Sequence, residues 1–366
     1  MARFRASFDG VALRLRCCLP AAVIPPSNAQ LSRSVRTRTR SRRVVITALV
    51  AALPLVAPPA AAQLREVRLV LDNDAYDFWI PVDARPDEDY TNGVDLSVEL
   101  AGAPLWGRLL ARRAPRCAAA APADSACTAT TVAFGQKIFT PEIDGEMPIA
   151  GQRPYAGWLY ASATASVQSA RRMRGVGVEV GVTGRASLAE TVHTAWHRIA
   201  GFIPPEGWRN QLGFEPAFRV SYDERMLLAE VRSAGGVRVA TLAPAWGVDA
   251  GTVHVGAHAG VEARAGWAVP HPWSAAADRG AGPASVYAIA RVRQNAVARD
   301  LFLDGSTFRR SVRVDRRPLV WERELGGGAR YRGFTGEYRV LTRGREYQTQ
   351  SGPHAWGTFE LRCRVR

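Results

Sequence analysis

Between residues 252 and 267 hydrophobic and polar positions alternate without a break. Val253, Val255, Ala257, Ala259, Val261, Ala263, Ala265 and Trp267 share one parity, and Thr252, His254, Gly256, His258, Gly260, Glu262, Arg264 and Gly266 share the other. A period of two sustained over this length is the pattern of a long extended strand. The same alternation runs through 175–183 and 355–366. It is looser over 287–299, where Arg291, Arg293, Asn295 and Arg299 fall on one parity. One face is apolar, and the other carries imidazoles, carboxylates, guanidiniums and glycines. A soluble sandwich would turn the apolar face inward, whereas a membrane barrel turns it out to lipid and keeps the polar face for a wet lumen. Strands of about 9–11 residues or more, charged on one face, suit a bilayer-spanning barrel better than the roughly 5–6-residue strands of soluble sheets.

Extending this reading along the chain places strands near 66–74, 92–101, 130–139, 156–168, 174–183, 213–225, 235–250, 252–267, 284–300, 317–331, 332–343 and 354–366. The expected fold is all-β: a transmembrane antiparallel β-barrel of about twelve strands, with one short helix in an extracellular loop. Twelve is an even number, as single-chain outer-membrane barrels require. With both termini periplasmic, 75–91, 140–155 and 184–212 become long outer loops and 102–129 a periplasmic one. The segment 268–283 is displaced by one turn from strict alternation with these, which leaves the later strand count soft.

The helix is expected within 187–212. Ser187-Leu188-Ala189-Glu190 has the form of a capping box. Leu188, Val192, Ala195, Trp196 and Ile199 follow at helical spacing, and Gly201 with Pro204-Pro205 ends the run. His193 and His197, four apart, share a face. Such a pair suits a metal ligand set, a single catalytic histidine or plain packing. Thr194, Ala195 and Trp196 stand between them, so there is no HExxH glutamate.

Polar clusters mark strand ends at the same rim: Leu71-Asp72-Asn73-Asp74, Asp89-Tyr90-Thr91-Asn92-Gly93 and Arg153-Pro154-Tyr155-Ala156-Gly157-Trp158. Carboxylates and amides gathered at a barrel mouth suit a hard cation such as calcium. The same residue types also cap hairpins.

The N-terminus reads as an export signal. Arg40, Arg42 and Arg43 precede an apolar run over 44–56, and Ala60-Ala61-Ala62 offers small residues for cleavage before Gln63. Residues 1–62 are therefore set apart as a removed extension and signal peptide, with 63–366 as one barrel domain. This changes the charge. The prefix holds ten arginines and one acid, Asp9, so nine of the fifteen net positive charges leave with it and +6 remains. A nucleic-acid partner is not expected. Lys137 is the only lysine, and arginine forks suit phosphate-rich lipopolysaccharide, though a GC-rich genome writes arginine for lysine equally well. Cys117 and Cys127 bracket an Ala/Pro-rich loop and could form a disulfide outside the cytoplasm. No CxxC or zinc spacing occurs.

In order along the chain, Asn73-Asp74, Asp89-Tyr90-Thr91-Asn92-Gly93, Gly135-Gln136 with Ile138-Phe139-Thr140-Pro141, Arg153-Pro154-Tyr155-Ala156-Gly157-Trp158, the 187–201 helix with His197-Arg198-Ile199, and Leu301-Phe302-Leu303-Asp304-Gly305 resemble the outer-membrane lipid A 3'-O-deacylase family (LpxR-like). The resemblance spans nearly the whole of 63–366. It implies a twelve-stranded bacterial outer-membrane barrel, expected as a monomer among outer-membrane lipids, that hydrolyses an ester-linked acyl chain of lipid A in lipopolysaccharide. It further implies calcium as cofactor, with Asp74 as a metal ligand. His197 would be the general base, Asn73 and Asp74 part of the polar, calcium-linked site, and Thr91 a site hydroxyl.

That chemistry is coherent, because a neutral imidazole can take a proton from attacking water. No G-x-S-x-G elbow is present for an acyl-serine route. Two departures stand out. The family supplies a lysine after the third strand, whereas 140–158 has none and leaves Arg153 as the cation there. The chain also ends in Arg366 rather than an aromatic residue. A non-catalytic barrel with a structural or lipid-binding role is the alternative. A phospholipase-type barrel would need a serine beside a histidine, and no His-x-Ser occurs.

Overall fold

The computed structural model describes residues 7–8, 11–12, 63–78, 88–104, 106–107, 114–117, 125–274, 276–278 and 282–365. Met1–Ser41 forms one unit, in which Ser7–Phe8 and Val11–Ala12 pair antiparallel. Arg42–Arg366 forms the other. The expected export signal at 40–62 lies outside the described residues.

Twelve strands make the barrel: β1 Leu64–Asn73, β2 Asp89–Ala101, β3 Cys127–Thr140, β4 Ala156–Gln168, β5 Arg172–Val182, β6 Pro216–Met226, β7 Arg238–Gly251, β8 His254–Trp267, β9 Ala284–Asp300, β10 Leu319–Tyr331, β11 Phe334–Arg343 and β12 His354–Arg364. Each pairs antiparallel with its neighbours, and β12 closes on β1 through Gly357 opposite Asn73, Phe359 opposite Leu71 and Leu361 opposite Leu69. β6 is continued by a short piece, Ala229–Arg232, also paired with β7. The break has a local cause. Leu242 pairs with Ala229 and Ala245 with Arg225, so Pro244 of β7 falls in the gap, where it has no N–H to give.

Burial along the strands is inverted relative to a soluble sheet. Phe134, Trp246, Val292, Leu325 and Leu361 are exposed on the outer wall, while Glu262, Arg264, Glu337 and Glu360 are buried in the lumen. The luminal charges neutralise one another. Arg264 meets Glu262 at 2.7 Å and Glu337 at 3.3 Å, Arg291 meets Glu324 at 2.7 Å, and Arg339 meets Glu360 at 2.7 Å. Apolar side chains facing out and paired ions facing in are what lipid outside and water inside demand. None of the helices among the described residues is long and apolar enough to cross a membrane.

Both barrel termini lie at one rim, with the turns 169–171, 233–237 and 332–333. The opposite rim carries 74–88, 141–155, 183–215, 301–318 and 344–353. Segment 268–283 connects β8 to β9 and therefore lies at the terminus rim, which is why it falls out of alternation with the outer loops. It is fastened there by His271 Nε2 to the Ala170 carbonyl at 2.8 Å and by Trp273 Nε1 donating to Ser169 O at 2.8 Å. At the same rim Cys117 and Cys127 form a disulfide with a Cα–Cα distance of 4.7 Å.

Just inside the loop rim the lumen is plugged by aromatic rings. Phe302, from the short helix α2 (Leu301–Asp304), stacks on Phe139 at 4.4 Å, and Tyr90 meets Trp356 edge-on at 4.8 Å. The Leu301-Phe302-Leu303-Asp304-Gly305 motif thus has a packing role. Asp300 caps α2 by accepting from Phe302 N, and Gly305 takes a left-handed φ of 80° at its end.

Candidate active site on the outer wall

Strand parity decides on which side of the wall each candidate lies. On β1, Asn73 shares the outward parity of Leu69 and Leu71; on β3, Gln136, Ile138 and Thr140 share that of exposed Phe134. These polar groups are nevertheless buried, because loop structure covers this part of the outer wall. The 3-10 turn Asp74–Tyr76 folds over β12, where Gly357 leaves no room for a Cβ beside the Tyr76 carbonyl, and Tyr338 donates to that carbonyl at 2.7 Å.

Asn73, Asp74 and Thr91 come together. Asn73 Nδ2 donates to the Thr91 carbonyl at 3.2 Å, and the Ala75 N–H is accepted by Asn73 Oδ1 at 2.9 Å and Asp74 Oδ1 at 2.8 Å. A register shift between Tyr90 and Asn92 frees Thr91 from the ladder. Its hydroxyl then reaches Thr140 Oγ1 at 2.6 Å. Thr140 lay within a quoted motif, but nothing in the sequence gave it this partner, which depends on the bulge. Asp74, Asn73, Thr91 and Thr140, all nearly fully buried, supply a carboxylate, an amide oxygen and two hydroxyls, which are the oxygen donor types that calcium takes.

Helix α1, Ala189–Ala200, lies over the outer wall of β3 and β4. Gln136 Nε2 donates to the Ser187 carbonyl at 2.6 Å, and a Cβ on Gly157 would stand 2.3 Å from that of Ala189. Glycine is what lets the helix approach. The expected capping box does not form: Ser187 belongs to a 3-10 turn and its hydroxyl bonds the Gly184 carbonyl. Leu188, at φ 61°, stands at the N-cap without a side-chain hydrogen bond. Nor is the Leu188, Val192, Ala195, Trp196, Ile199 face the buried one. The spine turned to the barrel is Ala189, His193 and His197.

The two imidazole rings are 4.4 Å apart, edge to face. Trp208 Nε1 donates to His193 Nδ1 at 3.1 Å, and His197 Nδ1 lies 2.5 Å from the Ile203 carbonyl. A carbonyl can only accept, so Nδ1 of His197 carries a proton, and in the neutral ring the lone pair is then on Nε2, the tautomer a general base uses. Trp208 and Ile203, which orient the two rings, were not singled out in the sequence; their side chains carry no motif signal, and in Ile203 the working atom is main chain.

Arg153 is placed elsewhere. Its guanidinium packs on the lumen-facing Phe139 ring at 4.8 Å and pairs with Asp89 and Glu346, each at 3.2 Å, while Gln350 donates to the second Asp89 oxygen at 2.6 Å. Burial would raise the Glu346 carboxyl, but Arg343 and Arg153 more than offset this and hold it below the usual range. Arg153 therefore braces loops across the mouth rather than joining Asn73, Thr91 and His197. Glu88, Asp89 and His354 bring ligand atoms within 4.8 Å of one another. A cation there would share Asp89 with the Arg153 guanidinium, which disfavours it. A polar luminal cavity of about 330 Å³ is lined by Lys137, Asp249, His254, Asp300 and Glu346 among others. It lies across the wall from Asn73 and Thr140.

Outer membrane protein LpxR is the family whose sequence pattern matches, over residues 44–365. The chain belongs to this family. LpxR from Salmonella typhimurium shares the fold, with a TM-score of 0.65 at 15% identity over 82% of this chain and 100% of that one. The β-domain of the Bordetella autotransporter BrkA is a more distant barrel, with a TM-score of 0.41 at 7% identity over 82% and 98% of the two chains. No curated protein matches by sequence. The twelve-stranded, lipid-facing barrel is thus of the outer-membrane type, and its motif residues fall into two groups: Asn73, Asp74, Thr91 and the α1 histidines on the outer wall, and Arg153 with the Phe302 motif in the plug.

Proposed function

We propose that this protein hydrolyses an ester-linked acyl chain of lipid A, the 3'-O-linked one, on the outer wall of its barrel. The observation that carries the reading is the joint placement of a base-competent His197 and an all-oxygen polar row, Asn73, Asp74, Thr91 and Thr140, on the side of the wall that faces lipid. A substrate reaching that side is a membrane lipid rather than a solute in the lumen. Family membership supports lipid A as that lipid.

In this mechanism His197 Nε2 accepts a proton from water as the water oxygen attacks the ester carbonyl. The Ile203 carbonyl, receiving Nδ1–H, stabilises the resulting imidazolium. The C–O bond to the sugar then breaks and the proton passes to the departing alkoxide, giving a free fatty acid and a sugar hydroxyl. Asn73, Asp74 and Thr91 would hold calcium, which when bound supplies positive charge for the developing oxyanion. The buried Thr91–Thr140 hydroxyl pair keeps that corner rigid.

The test is mass spectrometry of lipid A after incubation with wild type and His197→Ala, in calcium and in chelator. Loss of one acyl mass by wild type in calcium alone is the expected result. An unchanged spectrum from folded wild type overturns the hydrolase reading for this substrate and leaves a lipid-binding barrel.

A further inference from the structure

The outward face of α1 is unusual for a surface helix. Leu188, Val192, Trp196 and Ile199 fall along one arc, continued beyond the helix by Phe202 and Ile203, and all are exposed, Ile199 by 81% and Ile203 by 84%. At about 100° per residue this arc lies roughly a third of a turn from the buried Ala189, His193, His197 spine. Exposed Arg198 and Thr191 occupy the remaining side. A run of exposed apolar side chains along one helix arc, with a guanidinium beside it, marks an interaction site rather than a solvated face. Its surroundings say which kind. The helix lies on the outer wall of β3 and β4, and the exposed Val94, Leu96 and Phe134 of β2 and β3 already form the lipid-facing belt of that wall.

We infer that the Leu188, Val192, Trp196, Ile199 face of α1 is immersed among the acyl chains of the outer leaflet, with Arg198 held at headgroup phosphate level. Immersion removes from water an apolar surface that the barrel itself leaves open, and burial of such surface is favourable. A tryptophan within the arc suits the boundary between chains and headgroups. The helix thereby carries lipid contact from the belt to the histidine spine, so that an acyl chain meets no water layer on its way to the site. The inference stands whether or not the site hydrolyses lipid A, because it concerns contact and not turnover.

The experiment places a nitroxide label at Ile199→Cys, at Ile203→Cys and, as reference, at Arg198→Cys, in the full chain with Cys17, Cys18 and Cys363 changed to serine. The protein is reconstituted in phosphatidylcholine vesicles free of lipopolysaccharide, and collision with oxygen is compared with collision with a water-soluble nickel chelate. Labels at 199 and 203 are expected to favour oxygen several-fold more than the label at 198. The inference is overturned if 199 and 203 meet the nickel chelate as readily as 198. It is also overturned if spin–spin broadening at 199 shows a second copy of the chain seated on the face. Two apolar positions are labelled so that one poorly folded variant does not decide the outcome.

Discussion

The Nδ1 atom of His197 lies 2.5 Å from the main-chain oxygen of Ile203, six residues on and just past the turn at Gly201. That carbonyl fixes the ring's tautomer and its direction, and Pro204-Pro205 stiffens the strap that presents it. Replacing both prolines by glycine is expected to lower kcat about 10- to 100-fold with little change in KM, the range for a misplaced catalytic group. Steady-state kinetics on lipid A measures it. An unchanged kcat would mean that the Ile203 carbonyl does not position the base.

The calcium reading makes a separate demand on Thr91 and Asp74. Asp74→Asn and Thr91→Val are each expected to raise the calcium concentration for half-maximal activity by about 10- to 100-fold, and Thr91→Ser to restore most of it. A calcium titration with identical midpoints in all four proteins would remove these residues from the metal site.

Gly157 bears on whether α1 must lie against the wall. A Cβ there would stand 2.2 Å from Ser187 Oγ and 2.3 Å from Ala189 Cβ, in the 3-10 turn and first turn that seat the helix. Gly157→Ala should leave the barrel folded, seen as unchanged heat-modifiable migration in gels, while sharply lowering activity. Full activity in this variant would show that the helix tolerates displacement from β4.

Arg153 tests the opposite expectation, a structural one. Its guanidinium is buried with Asp89 and Glu346, and removing one partner of such a pair leaves an uncompensated buried charge. Arg153→Met is expected to cost about 3–5 kcal/mol of stability, with partial recovery when Asp89→Asn is added. Urea unfolding measures both. A stable Arg153→Met barrel that has lost only substrate affinity would return Arg153 to the site.

The barrel was legible because lipid outside and water inside impose one two-residue period on every strand, and that period is written in residues such as Val253 to Trp267. The candidate site was legible only as identities. Asn73, Asp74, Thr91 and His197 could be named, but their side of the wall follows from parity plus a bulge at Thr91 that no local signal marks. The spacing of α1 left its buried face open, and the structure gives the reason: the helix lies against a lipid-facing wall, so its apolar stripe is exposed and two histidines occupy the buried spine. Arg153, the only cation of 140–158, is held by long-range pairs with Asp89 and Glu346 that no local signal in the sequence announces.

His271 gives a pH prediction at the terminus rim, away from the site. Burial holds its imidazole below the usual histidine range. The cause is visible in the bonding: Nε2 meets the Ala170 carbonyl at 2.8 Å, so Nδ1 carries the lone pair and accepts from Ser274 N at 3.0 Å and Trp273 N at 3.3 Å. A proton on Nδ1 would face two donors. Because the folded-state pKa is depressed, the stability it contributes is fully present above the unfolded value of about 6.5. It is lost as pH falls through the lower folded value. Amide hydrogen exchange in 269–274, corrected for intrinsic rates, should therefore quicken between neutral and mildly acidic pH in wild type. In His271→Phe the segment should exchange faster throughout and show no such step. An equal pH step in both proteins would assign the titration to another group.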